Sequence, residues 1–175
     1  MAQLSHLIRR FFGSLRPGGP STDDQVWAES QLLPGERAIW CEMSGPDRRH
    51  SAGVAREVER RLGVSVPRPV LAAALLHDCG KLQSGLRTPG RVVATVLCAT
   101  TVRTPDAVAQ WATSNSGFRR SIGQYRLHPE IGAELLVAAG SDSLTVAWTR
   151  EHHQPRATWT IDPSVAAALH AADDD

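Results

Sequence analysis

Residues 71–81 read Leu71-Ala72-Ala73-Ala74-Leu75-Leu76-His77-Asp78-Cys79-Gly80-Lys81. An unbroken apolar run ends in an adjacent imidazole and carboxylate, followed closely by a glycine. Pro69 stands just ahead of the run, where its fixed φ suits a first helical turn. The stretch therefore predicts a buried helix that delivers His77 and Asp78 at its far end, with Gly80 interrupting or ending it. Neighbouring helix residues point about 100° apart, so the two side chains can reach into one pocket near a helix end.

More residues of the same chemistry lie on either side. His50 stands upstream, His128, His152 and His153 downstream, and Asp173-Asp174-Asp175 is the last acidic cluster. Five of the seven histidines fall into four separate helical-looking segments. That is the inventory of a metal centre built inside a helical domain. A lone His-Asp dipeptide is more often a hydrogen-bonded surface or core pair than a ligand pair. The ordered set His50, His77-Asp78, His128, His152-His153, Asp173 is far more specific, because each member sits in or at the end of a predicted helix, as ligands on facing helices do.

Nearly all of the remaining sequence reads as helix. Leu4, Leu7, Ile8, Phe11, Phe12 and Leu15 recur at helical spacing with Arg9, Arg10 and Arg16 among them, giving a short basic amphipathic helix. Docking on its own domain or on a partner chain, or poor order, is preferred over peripheral membrane contact by residues 4–15. Pro17-Gly18-Gly19-Pro20 reads as a linker. Residues 1–20 are thus an N-terminal segment, and 21–175 a single all-α domain. Helices are expected over 26–33 and 34–43, the second opened by Pro34, then a turn at Ser44-Gly45-Pro46. Asp47 is expected to cap a helix to Leu62 carrying a Val54, Val58, Leu62 stripe and ended by Gly63. Residues 85–90 read as a loop. Residues 92–102 are rich in β-branched side chains, but no other segment offers a pairing strand, so a buried helix is preferred. Further helices are expected over 105–114, 118–126, from Pro129 to Ala139, from Asp142 or Ser143 to the paired histidines, and from Pro163 to about Asp173.

Bulk properties set limits. A chain of 175 residues suits one domain with a real core. A formal net charge of +1 offers no electrostatic footprint for nucleic acid, so specific nucleic-acid binding is not expected. No apolar run nears the roughly 20 residues of a membrane span, and the N-terminus lacks the continuous apolar core of a secretory signal. Cys41, Cys79 and Cys98 have no CxxC spacing and fit reduced thiols in the cytoplasm.

Imidazole and carboxylate together suit first-row metals such as iron, manganese, zinc and cobalt, which ligand type alone does not separate. Asp78 has two oxygens and can bridge two ions, whereas each histidine serves one. Two divalent ions held about 3.5–4 Å apart polarise a phosphoryl oxygen and generate a hydroxide nucleophile near neutral pH.

With these residues in place, the sequence resembles the HD superfamily of metal-dependent phosphohydrolases, whose signature is His, then His-Asp, then a late Asp. The matching pieces are Arg48-Arg49-His50-Ser51, Leu76-His77-Asp78-Cys79-Gly80-Lys81 and Ala171-Ala172-Asp173, within a resemblance that runs from about Pro34 onward. It implies a compact multi-helix bundle with His50, His77, Asp78 and Asp173 around a first metal, and Asp174 as the alternative last ligand. His128-Pro129-Glu130-Ile131-Gly132 and Glu151-His152-His153-Gln154 are similar to elements of the HD-GYP branch. By that analogy Asp78 bridges, and His128 with His152 or His153 holds a second metal. Lys81 is then placed as a catalytic contact to a phosphate oxygen. Gln154-Pro155-Arg156-Ala157-Thr158 stands where the GYP element would be, and Pro46 where a third-metal glutamate would be, so two metals at most are expected.

The expected function is hydrolysis of a phosphomonoester or phosphodiester, foremost of a nucleotide, by metal-activated water, with Asp78 and Lys81 as catalytic residues. The alternative is a metal-binding regulatory or interaction module on the same scaffold without turnover. Arg49 is the leading arginine for substrate phosphate, ahead of Arg48 and Arg126. His170 is a candidate to orient a ligand, weighed against a satisfied buried histidine. Cys79 reads as a small buried filler rather than a thiolate ligand. The five tryptophans are core candidates, with Trp159 near the pocket.

Overall fold

In the computed structural model the described residues are 18–174, apart from Val64. The amphipathic stretch 4–15 lies outside them. Among the described residues there is no strand, and the chain forms an all-α bundle. Its helices are α1 (Thr22–Ser30), α2 (Pro34–Glu42), α3 (Gly45–Leu62), α4 (Arg68–Leu76), α5 (Lys81–Ser84), α6 (Thr88–Thr100), α7 (Pro105–Ala112), α8 (Gly117–Arg126), α9 (His128–Ala138), α10 (Ser143–Glu151) and α11 (Pro163–Asp174). A 3₁₀ turn, Arg156–Thr158, lies between the last two. None of these helices is long and apolar enough to cross a membrane.

The sequence explains the elements. α4 is the central helix: every residue from Val70 to Leu76 is buried. A helix apolar all round can only sit inside a core. It packs against α3 and α10, and α11 lies across α3. The main core gathers Leu75 of α4 with Ala28, Trp40, Val58, Leu136, Trp148 and Leu169 from six further helices. A smaller core around Ala94, Val102, Val108 and Ile122 joins α6, α7 and α8. The stretch 92–100 is helical rather than strand, but it is not the buried helix expected: within it only Ala94 is buried, with Val102 just beyond its end, because one face is left to solvent.

Several local expectations are corrected. α1 begins at Thr22, not 26, because the Ser21 hydroxyl caps it by accepting from the Asp24 amide at 3.1 Å and Asp23 and Asp24 suit the positive N-terminal end. Ser44, not Asp47, is the N-cap of α3. Gly45 and Pro46 then form its first turn rather than a free turn, since proline needs no amide partner there. Asp47 instead pairs with Arg91. Leu62 at the end of α3 is 38% exposed and does not extend the buried stripe of Val54 and Val58. The loop at 85–90 is shorter than expected: Gly85 ends α5 with φ +61° and α6 starts at Thr88.

Two glycines set the site. A Cβ on Gly80 would lie 2.0 Å from the His128 carbonyl oxygen, and one on Gly132 would lie 2.9 Å from Thr149 Cγ2 and 3.2 Å from Cys79 Sγ. The turn after α4, the first turn of α9 and the last turn of α10 can therefore approach closely only because these positions carry no side chain. Cys79 is buried between them with its thiol pushed up to about 12 by burial and by the charge of Asp78, which fits a filler and not a thiolate.

Candidate metal centre

Three of the histidines stand at helix ends and share one device. His77 follows directly on α4, His128 follows α8 by two residues, and His152 follows directly on α10. In each case Nδ1 bonds the carbonyl three residues earlier: His77 to Ala74 at 2.9 Å, His128 to Tyr125 at 2.8 Å, His152 to Thr149 at 2.8 Å. The last turn of a helix leaves carbonyls in need of donors. A carbonyl only accepts, so Nδ1 carries the hydrogen and the lone pair of the neutral ring is on Nε2. All three Nε2 atoms are buried and have no hydrogen-bond partner. An unpaired buried acceptor costs free energy, and three aimed at one place call for a cation. The residues present therefore fit a metal.

Those nitrogens converge on two aspartates. Asp78, 4% exposed, points Oδ1 at His128 Nε2 (3.3 Å) and His152 Nε2 (3.8 Å). Its Oδ2 lies 3.5 Å from His77 Nε2 and forms an ion pair with Lys81 Nζ. Asp173 comes from the end of α11, with Oδ1 3.5 Å from His77 Nε2 and 3.0 Å from His50 Nε2, on α3. Two ligand sets result, each with its candidate atoms within 4.8 Å of one another: His50, His77 and Asp173, and Asp78, His128, His152 and His153. Asp78 belongs to the second set through Oδ1 and faces the first through Oδ2.

The electrostatics favour neutral rings at His128, His152 and His153, a charged ring at His77 and a charged Asp78 carboxylate. Burial holds His128 and His152 below the ordinary imidazole range, His152 well below, and His153 is lowered to about 4 by burial and by His128. His77 is also pushed down by burial, but the charges of Asp78 and Asp173 outweigh this and raise it. Burial pushes Asp78 up, and Lys81, His77 and His128 together more than offset it, leaving the carboxylate well below its usual range. The Asp78 charge likewise raises Lys81 against burial.

The expected site residues are brought together with few exceptions. His152 and His153 both belong to the cluster, the first buried and the second at the exposed rim, their rings 4.0 Å apart. Asp173, not Asp174, faces inward; Asp174 is exposed and bonds His170 Nε2 at 3.1 Å. His170 therefore orients no ligand. Its ring lies edge-on to Trp159, which itself packs on Trp148 and donates Nε1–H to the Glu151 and Gln154 carbonyls, both at 3.1 Å. Arg126 is exposed at the last residue of α8. Arg49 donates to the Gly18 carbonyl at 2.6 Å and so braces the linker.

Arg91 and Asp47 have a joint role that neither residue's position in the sequence announces. Arg91 forms a two-pronged ion pair with Asp47, Nη2 to Oδ2 at 2.8 Å, and donates Nε–H to the Leu86 carbonyl at 2.9 Å. This ties α6 to the turn of α3 just ahead of His50. No local signal marks such a pair, since 44 residues separate its members.

No protein-family model, curated protein sequence or solved structure matches this chain. The buried His/Asp cluster, with its preset tautomers, is what identifies a candidate metal-binding site.

Proposed function

We propose that this chain is a metal-dependent phosphohydrolase of the HD kind, acting on a phosphomonoester or phosphodiester, foremost of a nucleotide. The single observation that carries the reading is the convergence of three orphaned, buried Nε2 atoms on the two oxygens of Asp78 and on Asp173. His50, His77 and Asp173 would hold one divalent ion, and Asp78, His128, His152 and His153 a second.

A bound pair of such ions supplies Lewis acidity toward a phosphoryl oxygen and a lowered pKa for water. The chain's own residues do the rest. The Ala74, Tyr125 and Thr149 carbonyls keep each ring in the tautomer and orientation that presents Nε2. Lys81, which neutralises Asp78 here, has a flexible stem that lets its ammonium turn to a phosphate oxygen. The apolar wall of α4 keeps bulk water from the Asp78 side.

The test is elemental analysis of protein purified without chelator, wild type beside Asp78→Ala, followed by a nucleotide and phosphoester panel with the metal found. About two ions lost together in the variant, with metal-dependent turnover in the wild type, is the expected result. Metal binding without turnover of any panel member would instead favour a regulatory module on the same scaffold. Failure to take up metal would sink both.

A further inference from the structure

The formal net charge of +1 averages unlike regions. Residues 81–127 hold Lys81 and six arginines against one acid, Asp106, whereas residues 128–174 hold two arginines against seven acids. The basic stretch is also a unit in space, since α6, α7 and α8 close the smaller core around Ala94, Val102, Val108 and Ile122. Charge is therefore segregated onto one lobe. Five of its arginines, Arg87, Arg103, Arg119, Arg120 and Arg126, are exposed, and none of them has an ion-pair partner among the described residues. Like charges gathered without counter-charges are an electrostatic footprint for a polyanion.

The lobe adjoins the candidate metal centre. Arg119 and Arg126 are seven residues apart, so they share one edge of α8, separated by about 10 Å. At the outer end Phe118 is 57% exposed, and the Arg119 guanidinium lies 5.6 Å from the centre of the Trp111 ring of α7. At the inner end Tyr125, next to Arg126, lies against the His128 ring at 5.8 Å, and its carbonyl accepts from His128 Nδ1 at 2.8 Å. There α8 also packs on α5, whose first residue, Lys81, pairs with Asp78. Arginines thus alternate with aromatic rings along α8, from its exposed start to the ligands.

We propose that the α6–α8 lobe binds single-stranded nucleic acid, the strand lying along the Arg119–Arg126 edge of α8 and leading toward Asp78. Repeating phosphates match a row of arginines, and unstacked bases offer flat faces to Trp111 and Phe118. An acidic polypeptide brings charge without bases to stack, and a lipid surface calls for a continuous apolar face where this edge of α8 presents arginines. A single strand also suits the centre. Asp78 is only 4% exposed, and a flexible strand enters such a recess more readily than a stiff duplex. Cleavage of the bound strand rests on the phosphohydrolase reading above; its binding does not.

The test is fluorescence anisotropy of a labelled oligothymidylate with the full chain, run with chelator so that binding is read without turnover. Saturable binding is expected at about 50 mM salt, weakening about tenfold or more by about 200 mM. Arg119→Glu/Arg126→Glu should lower affinity about tenfold or more, and Arg126→Gln, which removes one charge without reversing it, should weaken binding and flatten the salt dependence. Arg37→Glu/Arg150→Glu makes the same change of net charge at exposed positions of α2 and α10 and should leave affinity within about twofold. Equal losses in the two pairs would reduce the effect to net charge and overturn the proposal. Absence of binding at about 50 mM salt would overturn it too, leaving the phosphohydrolase reading to its own metal analysis and substrate panel. Tighter binding of poly-glutamate or of anionic phospholipid vesicles would assign the lobe to an acidic protein or a lipid surface, and would equally sink it.

Discussion

The backbones of Gly80 and His128 approach so closely that a Cβ on residue 80 would stand 2.0 Å from the His128 carbonyl oxygen. That contact joins the two halves of the candidate centre, the turn bearing Asp78 and the helix opened by His128. Gly80→Ala must push them apart. We expect a loss of about 3 kcal/mol or more, at the upper end for overpacking, together with loss of metal uptake. Gly53→Ala is the control. That glycine sits exposed within α3 with open space around its Cα, so alanine should be neutral or stabilising by up to about 1 kcal/mol. Urea denaturation of both variants decides the matter, and equal stabilities would show that the close approach is not needed.

The two neighbouring aspartates at the end of α11 should behave oppositely. Asp173 meets His50 and His77 inside, while Asp174 meets His170 outside. Asp173→Asn should weaken metal binding by at least about tenfold, in the range for disturbing ligands or their supports. Asp174→Asn and His170→Ala should leave it unchanged and shift stability by less than about 1 kcal/mol. Titration calorimetry with a single divalent metal reads all three. A reversed order would place the last ligand at 174.

Acid should destabilise the metal-free chain. His128, His152 and His153 are lowered in the fold, so the unfolded chain takes up protons first as pH falls. Their contribution is fully present above the unfolded value near 6.5 and is lost on descending toward their folded values, about 4 for His153. His77 is raised and acts in the opposite sense, contributing below the unfolded value and losing that contribution as pH rises through the folded one. Three groups outweigh one, so Tm without metal should drop between about pH 7.5 and about pH 5. A Tm that climbs over this interval would mean that these rings are not buried neutral.

The Arg91–Asp47 pair is held at both ends and mostly shielded, its side chains 19% and 14% exposed. Charged hydrogen bonds of this kind contribute about 1.5–3 kcal/mol. Asp47→Ala should cost that much and mobilise α6, with Arg91→Ala costing little more once Asp47 is gone. A double-mutant cycle by denaturant unfolding checks this; additive losses would show that the two side chains do not act as a pair.

By itself the sequence determined the helical class, the candidate ligand types and their order along the chain. Hydrophobic period, proline and glycine positions are local, and so was the burial of α4, an apolar helix with no polar face to offer water. Even His77 and Asp78 as partners in one pocket follow from helix geometry alone. The choice of Asp173 over Asp174 was not legible, because each lies on a different face of the same turn and only the packing of α11 against α3 fixes which one looks inward. Nor was the role of Asp47, whose partner Arg91 comes from another helix. The tautomers of His77, His128 and His152 depend on backbone carbonyls that no residue type announces. His50 and Asp173 are 123 residues apart and meet at 3.0 Å. Periodicity sets the phase of side chains within a helix, but the phase of one helix against another is set by close packing of the shared core, and that is what only the tertiary structure decided.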